Sequence, residues 1–241
     1  MPGTPGRVGV VFVSHSSLIA EGLVDLARQM AEGATLVAAG GTDEGGIGTS
    51  FEKVSAAISE ADSGSGVVVL CDLGSAILTA ETALDFLDDE VRARVRIASA
   101  PLVEGGVAAA VAAETGADLA GVLAAAESAN VEKEAESDVA QGEPDATVSA
   151  GPGGASGNPS RTVTIINKDG LHARPAAEFV KLANTFPVKV TVNGKDAKSL
   201  LGIMSMGLVK GSTVEVASED PSAREAVDAL ADLIETGFGE A

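Results

Sequence analysis

The sequence predicts two units of different class. The first is an α/β unit with a parallel sheet and helices on both faces; the second is a smaller α+β open-faced sandwich. Three observations carry this. Up to about residue 127, short apolar runs alternate with helical stretches, the pattern of a parallel sheet covered by crossover helices. Residues 128–160 abandon both periodicities. From residue 161, paired strand patterns return with helices between them, which suits an antiparallel sheet with helices on one face.

In chain order, the first unit (1–127) has strand-like runs at 8–13, 36–39, 67–71 and 95–98. Helical stretches follow them at 18–30, 51–60, 76–87 and 107–115. Reactive loops of such sheets lie beyond the carboxyl ends of the strands. His15, the Gly40-Gly41-Thr42 loop and Asp72 all fall at such ends, so they are expected to meet in one crevice.

The next stretch, 128–160, is rich in Glu, Asp, Ser, Gly, Pro and Ala. Its first part can extend a helix, and from Gln141 onward it reads as a flexible linker. Fully flexible, it would reach roughly 30 Å and hold its two ends near millimolar effective concentration.

The second unit (161–241) opens with "RTVTII", which alternates like a strand. "HARPAAEFVKLANTF" follows as an amphipathic helix and "VKVTVNGK" as a strand ending in a turn. A short apolar helix at 200–206, the strand "STVEVAS" and a last helix opened by Asp220-Pro221 complete it. Proline suits that position because the first helical N–H groups have no partner to lose.

Composition excludes whole classes of function. The 241 residues carry a net charge of −19, which opposes nucleic acid and anionic membrane surfaces. Six Phe, no Tyr and no Trp leave no platform for stacking bases. Apolar runs are shorter than the ~20 residues of a membrane helix, and the start has no leader-like segment, so a cytoplasmic location is expected. The single cysteine, Cys71, permits no internal disulfide and reads as a small core residue. Residues 1–127 carry 6 basic and 18 acidic side chains, against 9 and 11 in 161–241. That contrast weakly favours docking between the units.

There are only two histidines, each where a loop turns into a helix. His172, in "KDGLHARPAAEF", sits at a helix N-terminus, where unpaired N–H groups and the positive dipole end favour an anion. Arg174 adds a cationic fork of the kind that grips phosphate. A neutral imidazole held there is a good phosphoryl acceptor; the plainer alternative is a helix-capping histidine. His15, in "VVFVSHSSLIAEG", ends a strand before a helix. No G-x-S-x-G signature surrounds it, so Ser14 and Ser16 read as caps and hydrogen-bond donors rather than nucleophiles. Asp72 can fix the His15 tautomer, cap the helix after "DLGSA", or do both.

The stretch "GLHARPAAEFVKLANTF", with "KSLLGIMSMG" at 198–207, closely resembles HPr, the histidine phosphocarrier of the bacterial phosphoenolpyruvate-dependent phosphotransferase system. The resemblance covers 161–238. It implies phosphorylation of His172 on Nδ1 by enzyme I, with Arg174 stabilising the phosphoryl group. Ser199 matches the family's regulatory serine, although a serine opening a short helix is more often an N-cap, the reading preferred here. Met204 and Met206 are expected on the apolar face that meets partners.

Residues 8–125 resemble the mannose-type enzyme IIA domain through "VSHSS", "AAGGTDEGGIGTS", "DLGSAILTAETAL" and "APLVEG". More narrowly, they look like the phosphotransferase subunit (DhaM type) of the phosphoenolpyruvate-dependent dihydroxyacetone kinase. The resemblance implies that His15 carries the phosphoryl group and that Asp72 hydrogen-bonds to it. The Gly-rich loop, with Gly40, Gly41 and Thr42, and the serines Ser14, Ser16 and Ser75 would line the site. It also implies a homodimer through the first unit. Some family members continue into an enzyme I-like segment; ending at Ala241, this chain is expected to take its phosphoryl group from a separate enzyme I. The leading acceptor is the ADP-bound subunit of dihydroxyacetone kinase, which works with the substrate-binding subunit. Alternatives are a mannose-family transporter IIB domain, or regulation of a partner by phosphohistidine state. No metal or organic cofactor of its own is expected; Mg and ADP would belong to the partner subunit.

Overall fold

The computed structural model describes residues 6–139 and 158–239, and side chains for 6–130 and 158–239. Most of the expected linker therefore lies outside the described residues. The chain forms two compact units, divided at Asn130.

The first unit is built on a four-stranded parallel sheet in the order β2-β1-β3-β4. Its strands are β1 (Gly9–Ser14), β2 (Leu36–Gly40), β3 (Val67–Cys71) and β4 (Val95–Ile97). Both central strands, β1 and β3, are wholly buried, which explains their unbroken apolar runs. Helices α1 (Ser17–Arg28) and α5 (Leu102–Glu114) cover one face; α2 (Phe51–Ala61) and α3 (Gly74–Asp85) cover the other. Val11 and Val13 point into the cluster with Val54, Ile58, Ala76 and Ala80. Phe12 points the opposite way, against Gly106 of α5. A Cβ on Gly106 would come within 2.8 Å of the Phe12 ring, so glycine sets how closely α5 approaches the sheet.

From β2 the chain crosses to the far side of β1 before laying down β3. The carboxyl end of β1 is thus the switch point, where open α/β sheets form their crevice.

Three features depart from the sequence expectation. Helix α5 begins at Leu102 rather than near 107; its run of Gly and Ala carries little amphipathic signal. A one-turn helix, α4 (Asp89–Arg92), precedes β4. Helix α6 (Leu119–Val139) covers 119–127, for which the sequence predicts no element, and runs on into the first part of the 128–160 stretch, where a helical extension is expected. The Asp118 side chain starts it by accepting from the Gly121 N–H at 2.8 Å, and Ala-rich composition favours its continuation.

One ion pair ties α2 to β4. Arg94 donates through Nε and Nη2 to both oxygens of Asp62, at 2.6–3.0 Å. The Arg94 hydrogen bond is the largest influence on Asp62; it outweighs burial and, with the Gly64 N–H, holds this carboxyl below its ordinary range. A depressed carboxyl contributes stability that is full above its unfolded value of about 3.9 and drains as pH falls through the folded value. Asp62→Asn is therefore expected to lower the Tm of the first unit at pH 7. The gap between its Tm curve and that of the wild type should be constant above about pH 4 and narrow as the pH falls below the unfolded value of about 3.9; a gap that widens on acidification in a thermal scan would sink this account.

The second unit has an antiparallel sheet in the order β5-β8-β6-β7. It comprises β5 (Ser160–Thr164), β6 (Thr191–Val192), β7 (Lys195–Asp196) and β8 (Thr213–Ala217). Asn193 and Gly194, with φ of 46° and 82°, make the two-residue turn joining β6 to β7, a position that Asn-Gly suits. Helices α7 (Ala173–Asn184), α8 (Leu200–Met204) and α9 (Arg224–Glu235) complete the unit, and α7 and α9 pack together. Phe179, Ile203, Leu230 and Ile234 are almost fully buried. The last helix opens through a 3-10 turn (Pro221–Ala223), where the Asp220 carboxylate accepts from the Ser222 N–H.

Candidate functional site

The switch point is occupied by His15. Strand pairing places Val13 beside Cys71 and Ser14 beside Gly40, so the three expected loops meet there. Asp72 receives four donors: the Ser14 hydroxyl (2.8 Å), the His15 N–H (2.9 Å), the Leu73 N–H (2.7 Å) and the ring Nδ1–H of His15 (2.9 Å). Burial pushes the Asp72 carboxyl up, yet the donors from His15 and Ser14 outweigh it and hold the group below its usual range. An ionised carboxylate can only accept. It therefore fixes the proton of neutral His15 on Nδ1 and leaves the Nε2 lone pair outward. There Nε2 meets the Ser75 Oγ at 2.7 Å, in the first turn of α3.

The Gly-rich loop closes over this arrangement. Gly41 N–H donates to the Ser14 carbonyl, and Gly48 N–H donates to the His15 carbonyl. Any side chain on Gly40 would lie 2.6 Å from the Ser16 oxygen and the Ser17 Cα, so β2 can approach the start of α1 only as glycine. Thr42 folds the loop on itself: its hydroxyl accepts from the Gly46 N–H. Ser16 is the N-cap residue of α1 without a side-chain cap bond; its N–H instead donates to the Ser14 Oγ. Asp72 likewise does not cap α3 by side chain, the N-cap position being Leu73.

Lys53 was not singled out in the sequence. Its ammonium donates to the carbonyls of Gly40 (3.0 Å) and Thr42 (2.7 Å), cross-linking the loop to α2. One lysine on a helix carries no such signal; only the fold brings it to the loop. Cys71 is buried, and desolvation pushes its thiol up to about 12, so it is no nucleophile.

In the second unit, His172 is the N-cap residue of α7. Its Nδ1 lies 3.2 Å from the Gly170 carbonyl. Gly170 has φ +69°, and a Cβ there would lie 2.3 Å from the Leu208 carbonyl. Arg174 is exposed and lies 3.6 Å from Glu178 along its own helix. Ser199 caps α8, accepting from the Gly202 N–H at 3.1 Å. Among the described residues no cluster of His, Cys, Asp and Glu could hold a metal ion, and no helix is long and apolar enough to cross a membrane.

The family described as the PTS system fructose IIA component matches residues 9–123. The PTS HPr component phosphorylation site family matches residues 159–236. The Listeria innocua phosphoryl donor subunit DhaM of PEP-dependent dihydroxyacetone kinase 2 is 40% identical over 105 residues, which cover 43% of this chain and 84% of that protein. The chain belongs to the DhaM family. The DhaM of Escherichia coli is 36% identical over 241 residues, covering 97% of this chain and 51% of that protein. This DhaM-family chain thus spans about half the length of the curated relatives it matches along both units. Its second unit belongs equally to the HPr family: the phosphocarrier protein HPr of Cupriavidus necator is 48% identical over 84 residues, covering 33% of this chain and 94% of that protein.

Proposed function

We propose that the chain relays a phosphoryl group from enzyme I to His172, from His172 to His15, and from His15 to the ADP-bound subunit of dihydroxyacetone kinase. The observation that carries this reading is the His15–Asp72 pair. A carboxylate held ionised keeps one ring nitrogen protonated and turns the other toward the first turn of α3, where the helix dipole favours an anion.

In the transfer step the Nε2 lone pair of His15 forms a bond to phosphorus as the phosphorus–Nδ1 bond of His172 breaks. Its electron pair returns to Nδ1. Asp72 stabilises the positive charge that develops on the His15 ring, and the Ser75 hydroxyl is free to turn toward a phosphoryl oxygen. Little covalent chemistry is asked of the protein beyond positioning and charge compensation. In this reading Arg174 leaves Glu178 to meet the phosphoryl group on His172. That exchange costs little, because exposed ion pairs are weak.

The chain needs no metal or organic cofactor in this scheme; Mg and ADP belong to the acceptor subunit. The DhaM relatives are phosphoryl donor subunits of this kinase, which supports the kinase over a transporter IIB domain as acceptor. The first unit is proposed to work as a homodimer in the cytoplasm.

The test mixes the chain with enzyme I, phosphoenolpyruvate and the kinase subunits carrying ADP, without free ATP, and follows dihydroxyacetone phosphate. Turnover that requires both His15 and His172 is the expected result. Phosphorylation of both histidines without turnover would move the acceptor to a transporter IIB domain or a regulated partner.

A further inference from the structure

Asn167 is completely buried in the loop that precedes His172. Its side-chain Nδ2 donates to the Gly170 carbonyl, and its own carbonyl accepts from the Gly170 N–H at 3.2 Å. Its Oδ1 accepts no hydrogen bond among the described residues. Buried polar atoms without partners are costly and rare, so an apolar residue of similar volume would serve a purely structural turn better. Exchanging the two ends of the amide does not help, because it sets two oxygens against each other.

The same Gly170 carbonyl faces Nδ1 of His172. One oxygen thus has two side-chain donors, Asn167 and the histidine ring. We propose that Asn167 is a positioning residue for His172, holding the Gly170 carbonyl satisfied when the ring gives up its contact. This rests on the reading above, in which Nδ1 of His172 accepts the phosphoryl group. The contact at 3.2 Å requires a proton on Nδ1, whereas phosphoryl transfer requires its lone pair. The ring must therefore move its proton to Nε2 and turn Nδ1 away from the carbonyl. Without Asn167 that movement strips the carbonyl of its side-chain donors, and the ring is retained. With Asn167 the loop keeps its shape and the ring leaves at lower cost.

The test loads the 241-residue chain with phosphoramidate protonated on nitrogen, a donor that needs no partner protein. Nδ1 gives its lone pair to phosphorus, the donor P–N bond breaks with its electrons going to nitrogen, ammonia departs, and Nε2 keeps the ring proton. In Asn167→Leu, the ratio of Nδ1–H to Nε2–H tautomer of neutral His172, read by ring 15N resonances, is expected to rise on the order of fivefold, the worth of one hydrogen bond. Loading of His172 should slow by a similar factor. Slower loading with an unchanged tautomer ratio, or no change in either, overturns the proposal.

Should that variant not fold, the wild type decides. The scalar coupling from the Asn167 amide nitrogen to the Gly170 carbonyl carbon must persist after His172 is phosphorylated, and its disappearance overturns the role. If enzyme I fails to load His172 while phosphoramidate succeeds, the relay reading fails. The tautomer ratio and the coupling still decide the part played by Asn167.

Discussion

His15→Ala is expected to take up phosphoryl groups at His172 normally and to deliver none. Production of dihydroxyacetone phosphate should fall to background, on the order of 10³-fold or more, as happens when the nucleophile of a covalent relay is removed. His172→Ala, by contrast, should block loading unless free HPr is supplied. Phosphohistidine at His172, followed by 31P resonance, separates the two outcomes. If the His15→Ala chain still delivers, the proposed order of transfer is wrong. Its fold is not at risk, because the His15 ring is partly exposed and its backbone bonds to Asp72 and Gly48 remain.

Asp72→Ala should produce the second largest loss, through geometry rather than through the bond that breaks. The carboxylate collects four donors, and without it the fully buried Ser14 hydroxyl and the His15 amide lose their acceptor. Each such group costs about 1–3 kcal/mol when left unsatisfied. The imidazole then rotates and its proton is no longer confined to Nδ1. Transfer between His172 and His15 should slow about 10²-fold, the scale of losing a near-attack geometry, while loading of His172 stays normal. Single-turnover transfer in a quenched-flow apparatus gives the rate. A loss smaller than fivefold would mean that the carboxylate only builds the crevice.

Much of this site is legible in the sequence because parallel α/β sheets put chemistry at strand ends. Once the runs ending at Val13 and Cys71 are read as parallel strands, His15 and Asp72 have nowhere to be but the same edge. Glycines at 40 and 41 are visible for the same reason. Lys53 and Asn167 were not legible. Each acts on backbone carbonyls that only the folded loop presents, and neither stands in a spacing that a periodicity would expose. The start of helix α6, 119–127, stayed hidden because its alanines give it almost no amphipathic contrast. Arg174 is legible as a cation two residues from His172; its pairing with Glu178, one turn along, is not, because it depends on the rotamer of an exposed side chain.

The register between β1 and β3 reaches further than the two residues it aligns. With Val13 beside Cys71, Asp72 is the first residue beyond the paired segment. A strand advances about 3.3 Å per residue and alternates faces. Deleting any one residue between Val67 and Cys71 would withdraw the carboxylate by that distance and turn the strand's remaining side chains onto the wrong helices. Lengthening the turn at its exposed residues, Ser63 and Gly64, would disturb neither. A family built this way should record its history in gaps as well as in substitutions: loops of varied length on the opposite edge of the sheet, and a fixed count of residues along the strand that ends at the aspartate.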